Sequence, residues 1–150
     1  MKSTAKSAAK ATAKSTGPAV SKRQYESLAR FRYELRRYMR YSEEITRRHG
    51  VTPLQYQLLL QIKGYPQREY ATVGELAERL QAKHHGAVSL VTRCERAGLV
   101  ARRPSEDDRR VVHVFLTAKG ERCLERLAEL HRSELLKLQG QFFVPDGEDL

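Results

Sequence analysis

The chain has 150 residues, enough for one folded domain with tails and too few for a second domain of ordinary size. It is 40% hydrophobic and 31% charged, and 28 lysines and arginines against 18 acids leave a formal charge of +10, which points to a polyanionic partner. No run approaches the ~18 apolar residues of a membrane-spanning helix, no early stretch resembles a secretory signal, and two cysteines, Cys94 and Cys123, are too few for a disulfide framework or a zinc site.

Residues 1–22 hold five lysines, no acid and almost no large apolar side chain, so they read as a disordered basic tail. Lys2, Lys6, Lys10 and Lys14 recur every four residues and would share one helical face on an anionic surface. Over residues 23–49, Leu28, Phe31, Leu35, Tyr38, Ser42 and Ile45 recur at three- and four-residue steps, which predicts a long amphipathic helix ended by Gly50. Thr52-Pro53-Leu54-Gln55 supplies an N-cap, a first-turn Pro and a Gln that reaches back. The helix it opens runs to about Lys63, with Leu54, Leu58, Leu59 and Ile62 in the core, and Gly64 and Pro66 break it. Thr72-Val73-Gly74-Glu75 is a second capping box, opening a third helix with Val73, Leu76, Ala77 and Leu80 inward. A fourth helix spans roughly residues 84–97, with Ala87, Leu90, Val91 and Cys94 inward and Gly98 as its stop.

After Gly98 the period changes. Residues 99–103 and 110–116 are short and rich in β-branched side chains, and the turn-rich segment 104–109 joins them into a β-hairpin with a charged tip. Thr117 caps a last long helix whose Leu124, Leu127, Leu130, Leu135 and Leu138 span more than one face, so one side is expected to meet another subunit. Residues 141–150 form an acidic C-terminal end, just after Gln139 and Gly140, with Phe142 and Phe143 free to dock. The predicted fold is mainly α with a small β-hairpin wing, a winged helix-turn-helix over residues 23–140 that dimerises through its N- and C-terminal helices.

Two short capped helices separated by a turn near residues 81–83 and followed at once by a hairpin carry the functional reading. Any packed helix pair imitates such a motif, so the outward residues decide. On the fourth helix Lys83, His84, His85, Ser89, Arg93 and Arg96 offer donors, no carboxylate intrudes before Glu95, and Gly86 lets a backbone approach. Such a face suits the major groove of double-stranded DNA. Arg102, Arg103, Arg109 and Arg110 cluster on the hairpin, where arginine suits an adjacent minor groove, and Asp108 reads as a partner that holds Arg110. The plainer alternative there is a solvated turn with surface ion pairs. His84 and His85 diverge by about 100° on a helix and have no acidic or thiol partner three or four residues away, so groove contact is favoured over metal binding.

The sequence resembles the MarR family of winged helix-turn-helix regulators. The resemblance is carried by Thr52-Pro53-Leu54-Gln55-Tyr56, Val73-Gly74-Glu75-Leu76-Ala77, Ala87-Val88 with Leu90-Val91 and Arg93, Ala97-Gly98-Leu99-Val100, and Lys119-Gly120. Its wing signature is Asp108-Arg109-Arg110, five residues ahead of Leu116-Thr117. It covers about residues 25–140 and implies a mostly α homodimer with two recognition helices on a palindromic site and gene control often relieved by a small ligand, for which a repressor is the expectation; the lack of a membrane span or secretory signal makes a cytoplasmic, nucleoid-associated place of action the expectation. His84-His85-Gly86 departs from many relatives, so no operator sequence carries over. Cys94 stands at what looks like a core Leu, and the reactive cysteine of peroxide-sensing relatives has no counterpart near the start of the first helix. The family's ligand pocket would here be bordered by Arg37, Tyr38, Arg40, Tyr41 and His49, a setting for a small aromatic or phenolic acid; core and dimer packing is the alternative role for these tyrosines. The Lys-rich tail also looks like that of linker histones, which makes a nonspecific architectural DNA binder the rival function. An enzyme lacks support, since there is no Gly-rich phosphate loop or nucleophile elbow, and no cofactor is expected.

Overall fold

Capping sets where the helices begin. Ser21, Thr52 and Thr72 each accept the N3 backbone N–H, while Gln24, Gln55 and Glu75 reach back to the cap's own N–H. In the computed structural model, which describes residues 19–150, these boxes open α1 (Lys22–Arg48), α2 (Pro53–Lys63) and α3 (Val73–Arg79). α4 (His84–Arg96) starts after Lys83 without a side-chain cap, and α5 (Ala118–Leu138) starts with Thr117 Oγ1 accepting from the Gly120 N–H. The basic tail expected over residues 1–22 lies outside the described residues as far as residue 18, and α1 takes up its last residue, Lys22.

Instead of the two-stranded hairpin expected from the sequence, the wing is part of a three-stranded antiparallel sheet. Its strands β1 (Tyr70–Thr72), β2 (Val100–Pro104) and β3 (Val112–Leu116) lie in the order β1-β3-β2, with Ala71 and Arg102 both opposite Val114. β1 is three residues long, too short to show alternation, and is held by the buried Ala71 and by Tyr70, whose ring stacks on His113 at 4.0 Å. Arg110 and Val111, expected in the second strand, stay in the loop. That loop is closed by the Ser105 N–H on the Val111 carbonyl at 2.8 Å and the Val111 N–H on the Asp108 carbonyl at 2.9 Å.

The core gathers Leu58, Leu59 and Ile62 of α2, Leu76 of α3, Leu90, Val91 and Cys94 of α4, and Val100 and Val114 of the sheet against Leu124 and Leu127 of α5. Each such side chain contributes about 1.5–3 kcal/mol on burial. Leu54, expected in this core, is 54% exposed, because it sits in the first turn of α2 at the rim of the packed face. Cys94 is a buried free thiol that burial pushes up to about 11, with Arg93 opposing. Beyond α5 the chain turns back along α1: Phe142 meets the edge of Phe31 at 6.3 Å, Arg30 lies 4.6 Å over the Phe143 ring, and the Phe143 N–H donates to Glu34 at 2.6 Å.

The start of α5 is fixed on the turn that ends α4. Gly98 takes φ +74°, a conformation L side chains rarely adopt, and its carbonyl accepts from Thr117 Oγ1 at 2.6 Å. Lys119 Nζ donates to the Ala97 carbonyl at 2.8 Å. Gly120 lies so close that a Cβ there would overlap the Leu99 carbonyl. Gly120→Ala is therefore expected to cost about 1–3 kcal/mol in denaturant unfolding, the penalty of overpacking against backbone. Gly86→Ala, where a Cβ meets nothing within 4 Å, is the control and is expected to leave the midpoint unchanged or raise it.

Candidate nucleic-acid interface

α3 and α4 are joined by a turn at residues 80–83. Gln81 adopts φ 51° and caps α3 by donating its amide to the Glu78 carbonyl at 2.7 Å, and the Ala82 N–H reaches the Ala77 carbonyl at 2.9 Å. α4 then buries Ala87, Leu90, Val91 and Cys94, which leaves Lys83, His84, His85, Ser89, Arg93 and Arg96 exposed on its other side, as their spacing predicts. Among the described residues nothing lies within 4 Å of the position a Cβ would take on Gly86.

Arg102, expected to reach a groove, is turned back onto α4. Its guanidinium meets Glu95 at 3.1 Å, Thr92 Oγ1 at 2.8 Å and the Val88 carbonyl at 3.3 Å, while its backbone N–H donates to the other Glu95 oxygen at 3.1 Å. Only 28% of the side chain remains exposed. Arg102 thus clamps β2 to α4 and occupies the carboxylate that ends its basic face. Glu95 and Thr92 are positioning residues that the sequence did not reveal, because the contact joins two elements.

At the wing tip Asp108 holds Arg110 as its spacing predicts. Oδ1 accepts from the Arg110 backbone N–H at 3.0 Å and from Nε at 3.1 Å, and Oδ2 accepts from the guanidinium at 3.2 Å. The Arg110 side-chain bond, then the backbone bond, holds the Asp108 carboxyl below the usual carboxylate range. The Arg110 side chain is itself 90% exposed, so the fork is oriented and still free on its outer edge. Arg109 is exposed beside it, and Arg103 lies 5.1 Å over the Phe115 ring. His84, Arg110 and Gly74 line a common cleft of about 480 Å³, which unites the start of α4 with the wing.

Of the residues expected to border a ligand, Arg37, Tyr38, Arg40 and Tyr41 line one groove of about 370 Å³, and His49 lies in a different cavity. Glu34, Glu44 and Glu134 share that groove. Arg40 pairs with Glu44 at 3.3 Å, and Tyr41 donates its hydroxyl to the Leu130 carbonyl at 3.2 Å. Tyr38 and Tyr41 converge edge-on at 6.4 and 6.0 Å on the buried His131, which stacks on Tyr56 at 4.3 Å and has Nε2 2.8 Å from Ser42 Oγ. Burial raises the hydroxyls of Tyr38 and Tyr41 and pushes Tyr56 up to about 12. This packing role of His131 went unread in the sequence. Among the described residues no helix is long and apolar enough to cross a membrane.

The sequence pattern of the MarR family matches residues 49–111, from the end of α1 through the wing tip. A MarR family protein from Bacillus stearothermophilus of known structure is 30% identical, with a TM-score of 0.69 and coverage of 87% of this chain and 88% of that one. The chain belongs to the MarR family. An uncharacterized HTH-type transcriptional regulator of Bacillus cereus is 33% identical over 102 residues, 68% of this chain and 63% of that protein. The HTH-type transcriptional repressor MdtR of Bacillus subtilis is 33% identical over 78 residues, 52% of this chain and 48% of that protein. The chain therefore spans less than two thirds of the length of these curated relatives. The MarR family is one of transcriptional regulators, not of enzymes.

The two wing arginines separate by their effect on folding. Arg102→Ala breaks a charge-assisted clamp and is expected to lower stability by about 1–2 kcal/mol, read as a fall in the unfolding midpoint. Arg110→Ala removes one exposed pair and is expected to leave the midpoint within experimental error.

Proposed function

We propose that this MarR family chain is a sequence-specific DNA-binding repressor acting as a homodimer on a palindromic operator. The observation that carries the reading is the exposed, carboxylate-free face of α4 opening onto the same cleft as an Arg110 preset by Asp108. The repressor sense is supported by the name of the Bacillus subtilis relative. A second copy is the occupant proposed for the exposed Leu135 and Leu136 on α5, whose buried side is already filled by Leu124, Leu127 and His131.

Selection of bound sites from random duplexes, followed by competition, tests the reading. The selected operator is expected to bind two chains and to withstand random DNA by a factor of ~10³ or more. His85→Ala and Ser89→Ala are expected to cost ~1–3 kcal/mol on that operator and less on random DNA. Arg110→Ala weakens both and flattens the salt dependence. Equal affinity for operator and random duplex in the parent, with most of it lost on deleting residues 1–22, would instead identify a nonspecific architectural binder.

A small aromatic or phenolic acid is the proposed effector for the Tyr38 and Tyr41 groove, supported by the four predicted residues that meet there. Salicylate titrated into the protein–operator complex is expected to release DNA, and Arg40→Ala with Tyr41→Phe is expected to blunt that release. Release undiminished by both changes would place the pocket elsewhere.

A further inference from the structure

The end of α4 opposite His84 and His85, about 20 Å away along a 13-residue helix, borders a second cavity of about 570 Å³. Its walls come from the end of α1 with Arg48 and His49, the start of α2 with Gln55, the turn after α4, and one stripe of α5. That stripe is Lys119, Arg122, Cys123 and Arg126, brought to one face by three- and four-residue spacing. Among the described residues no carboxylate lines the cavity. Two acids adjoin the stripe in sequence: Glu121 is turned away to Lys63 at 3.1 Å, and the exposed Glu125, next to Arg126, does not line the cavity. Among the described residues Arg48, Arg122 and Arg126 have no carboxylate within 4.0 Å, and Lys119 is committed only to the Ala97 carbonyl.

Helix C-termini account for part of this charge, since α1 and α4 both end at the cavity and Lys119 serves the last carbonyls of α4. Arg48 in turn lies in the last turn of α1, and the guanidiniums of Arg122 and Arg126 remain beyond that need. The contrast with the Tyr38 groove is direct: there Glu34, Glu44 and Glu134 sit among the cations, while here the lining carries one sign only. Like charges around a small concavity repel one another until an anion enters, and guanidinium forks match the paired oxygens of phosphate and carboxylate. The volume lies within the usual range for small-molecule sites.

The geometry points to this cavity as a binding site for a small multivalent oxyanion, a phosphate ester or an organic polycarboxylate, gripped by Arg48, Arg122 and Arg126. It also supplies a route to α4: an oxyanion held by Arg122 and Arg126 draws the Lys119 ammonium toward itself, lengthening its bond to the Ala97 carbonyl and so loosening the C-terminal anchor of α4. That coupling rests on the reading of α4 as the helix that contacts DNA; the site does not. Cys123 reports occupancy, being a free thiol in the wall that burial raises, and Cys94, the other cysteine, is buried in the core.

The test uses the full chain with pyrophosphate and citrate as probes, against sodium chloride at matched ionic strength. Alkylation of Cys123 by iodoacetamide, followed by mass spectrometry, reads occupancy, and the unfolding midpoint is read in parallel. Saturating probe is expected to slow alkylation about tenfold and raise the midpoint, and Arg122→Gln with Arg126→Gln is expected to weaken the probe about tenfold or more. Both arginines are exposed, so the double variant is expected to fold with an unchanged or higher midpoint when no probe is present. Stronger protection by pyrophosphate assigns the site to phosphate esters, and stronger protection by citrate assigns it to polycarboxylates. Protection no greater than that of sodium chloride, or a double variant that binds like the parent, overturns the site. Operator affinity measured in the same solutions reads the coupling: a probe that protects Cys123 without shifting DNA affinity overturns the route through Lys119. A chain that binds no operator still reports the site through Cys123.

Discussion

The placement of the wing relative to α4 depends on Arg102. Backbone pairing ties β2 to β3, and the buried Val100 and Val114 seat the sheet in the same core as Leu90 and Val91 of α4. Arg102 adds the polar half of that attachment, its guanidinium bonding Glu95, Thr92 and the Val88 carbonyl, all on α4. The same bond occupies Glu95, the one acid among the described residues of α4. Electrostatics follow from the same contact: Arg102 offsets Glu95, whose side chain stays 41% exposed, and the outward face ahead of Glu95 carries no carboxylate, with Arg110 and His84 lining one cleft.

A different balance operates at the wing tip. Asp108 and Arg110 are open to water, so their pairing contributes little to folding and serves to orient the fork. The sign follows from the lowered carboxyl: the pair is fully formed above the ordinary carboxylate pKa and is lost as the pH falls through the depressed value in the folded chain. Orientation of Arg110 is thus constant across neutral pH. An arginine already held in its fork loses less rotational freedom on meeting a phosphate or a base edge than a free one.

Local chemistry was legible in the sequence and long-range contact was not. Thr52 with Gln55 and Thr72 with Glu75 announced two helix starts, the outward face of α4 followed from its period, and the Asp108–Arg110 pair followed from a two-residue spacing. β1 escaped because three residues carry no period and gain their place only by pairing with β3. Arg102 looked like its neighbours Arg103 and Arg109, and only the approach of β2 to α4 tells it apart. His49 was grouped with Tyr41 by proximity in sequence, yet two turns of α1 carry it into a cavity with another electrostatic character. Leu54 and Leu58 share a spacing, and the rim of the core separates their burial.

The two ends of α4 meet opposite demands. In the proposed function its start presents side chains at a fixed angle, while its end is held by contacts that water and ions can reach, chiefly the Lys119 ammonium on the Ala97 carbonyl and the Thr117 hydroxyl on the Gly98 carbonyl. α4 is 13 residues of unbroken helix between these ends, short enough to tilt as one body. A displacement of 1 Å at the C-terminal anchor, with the packed Leu90 and Val91 as pivot, moves the first turn by roughly the same amount in the opposite sense. Base-edge hydrogen bonds weaken steeply over such a shift, whereas the Coulombic attraction of exposed arginines for phosphate hardly changes. In the proposed function, control exerted at the end of α4 would therefore alter sequence preference before it altered general affinity for DNA.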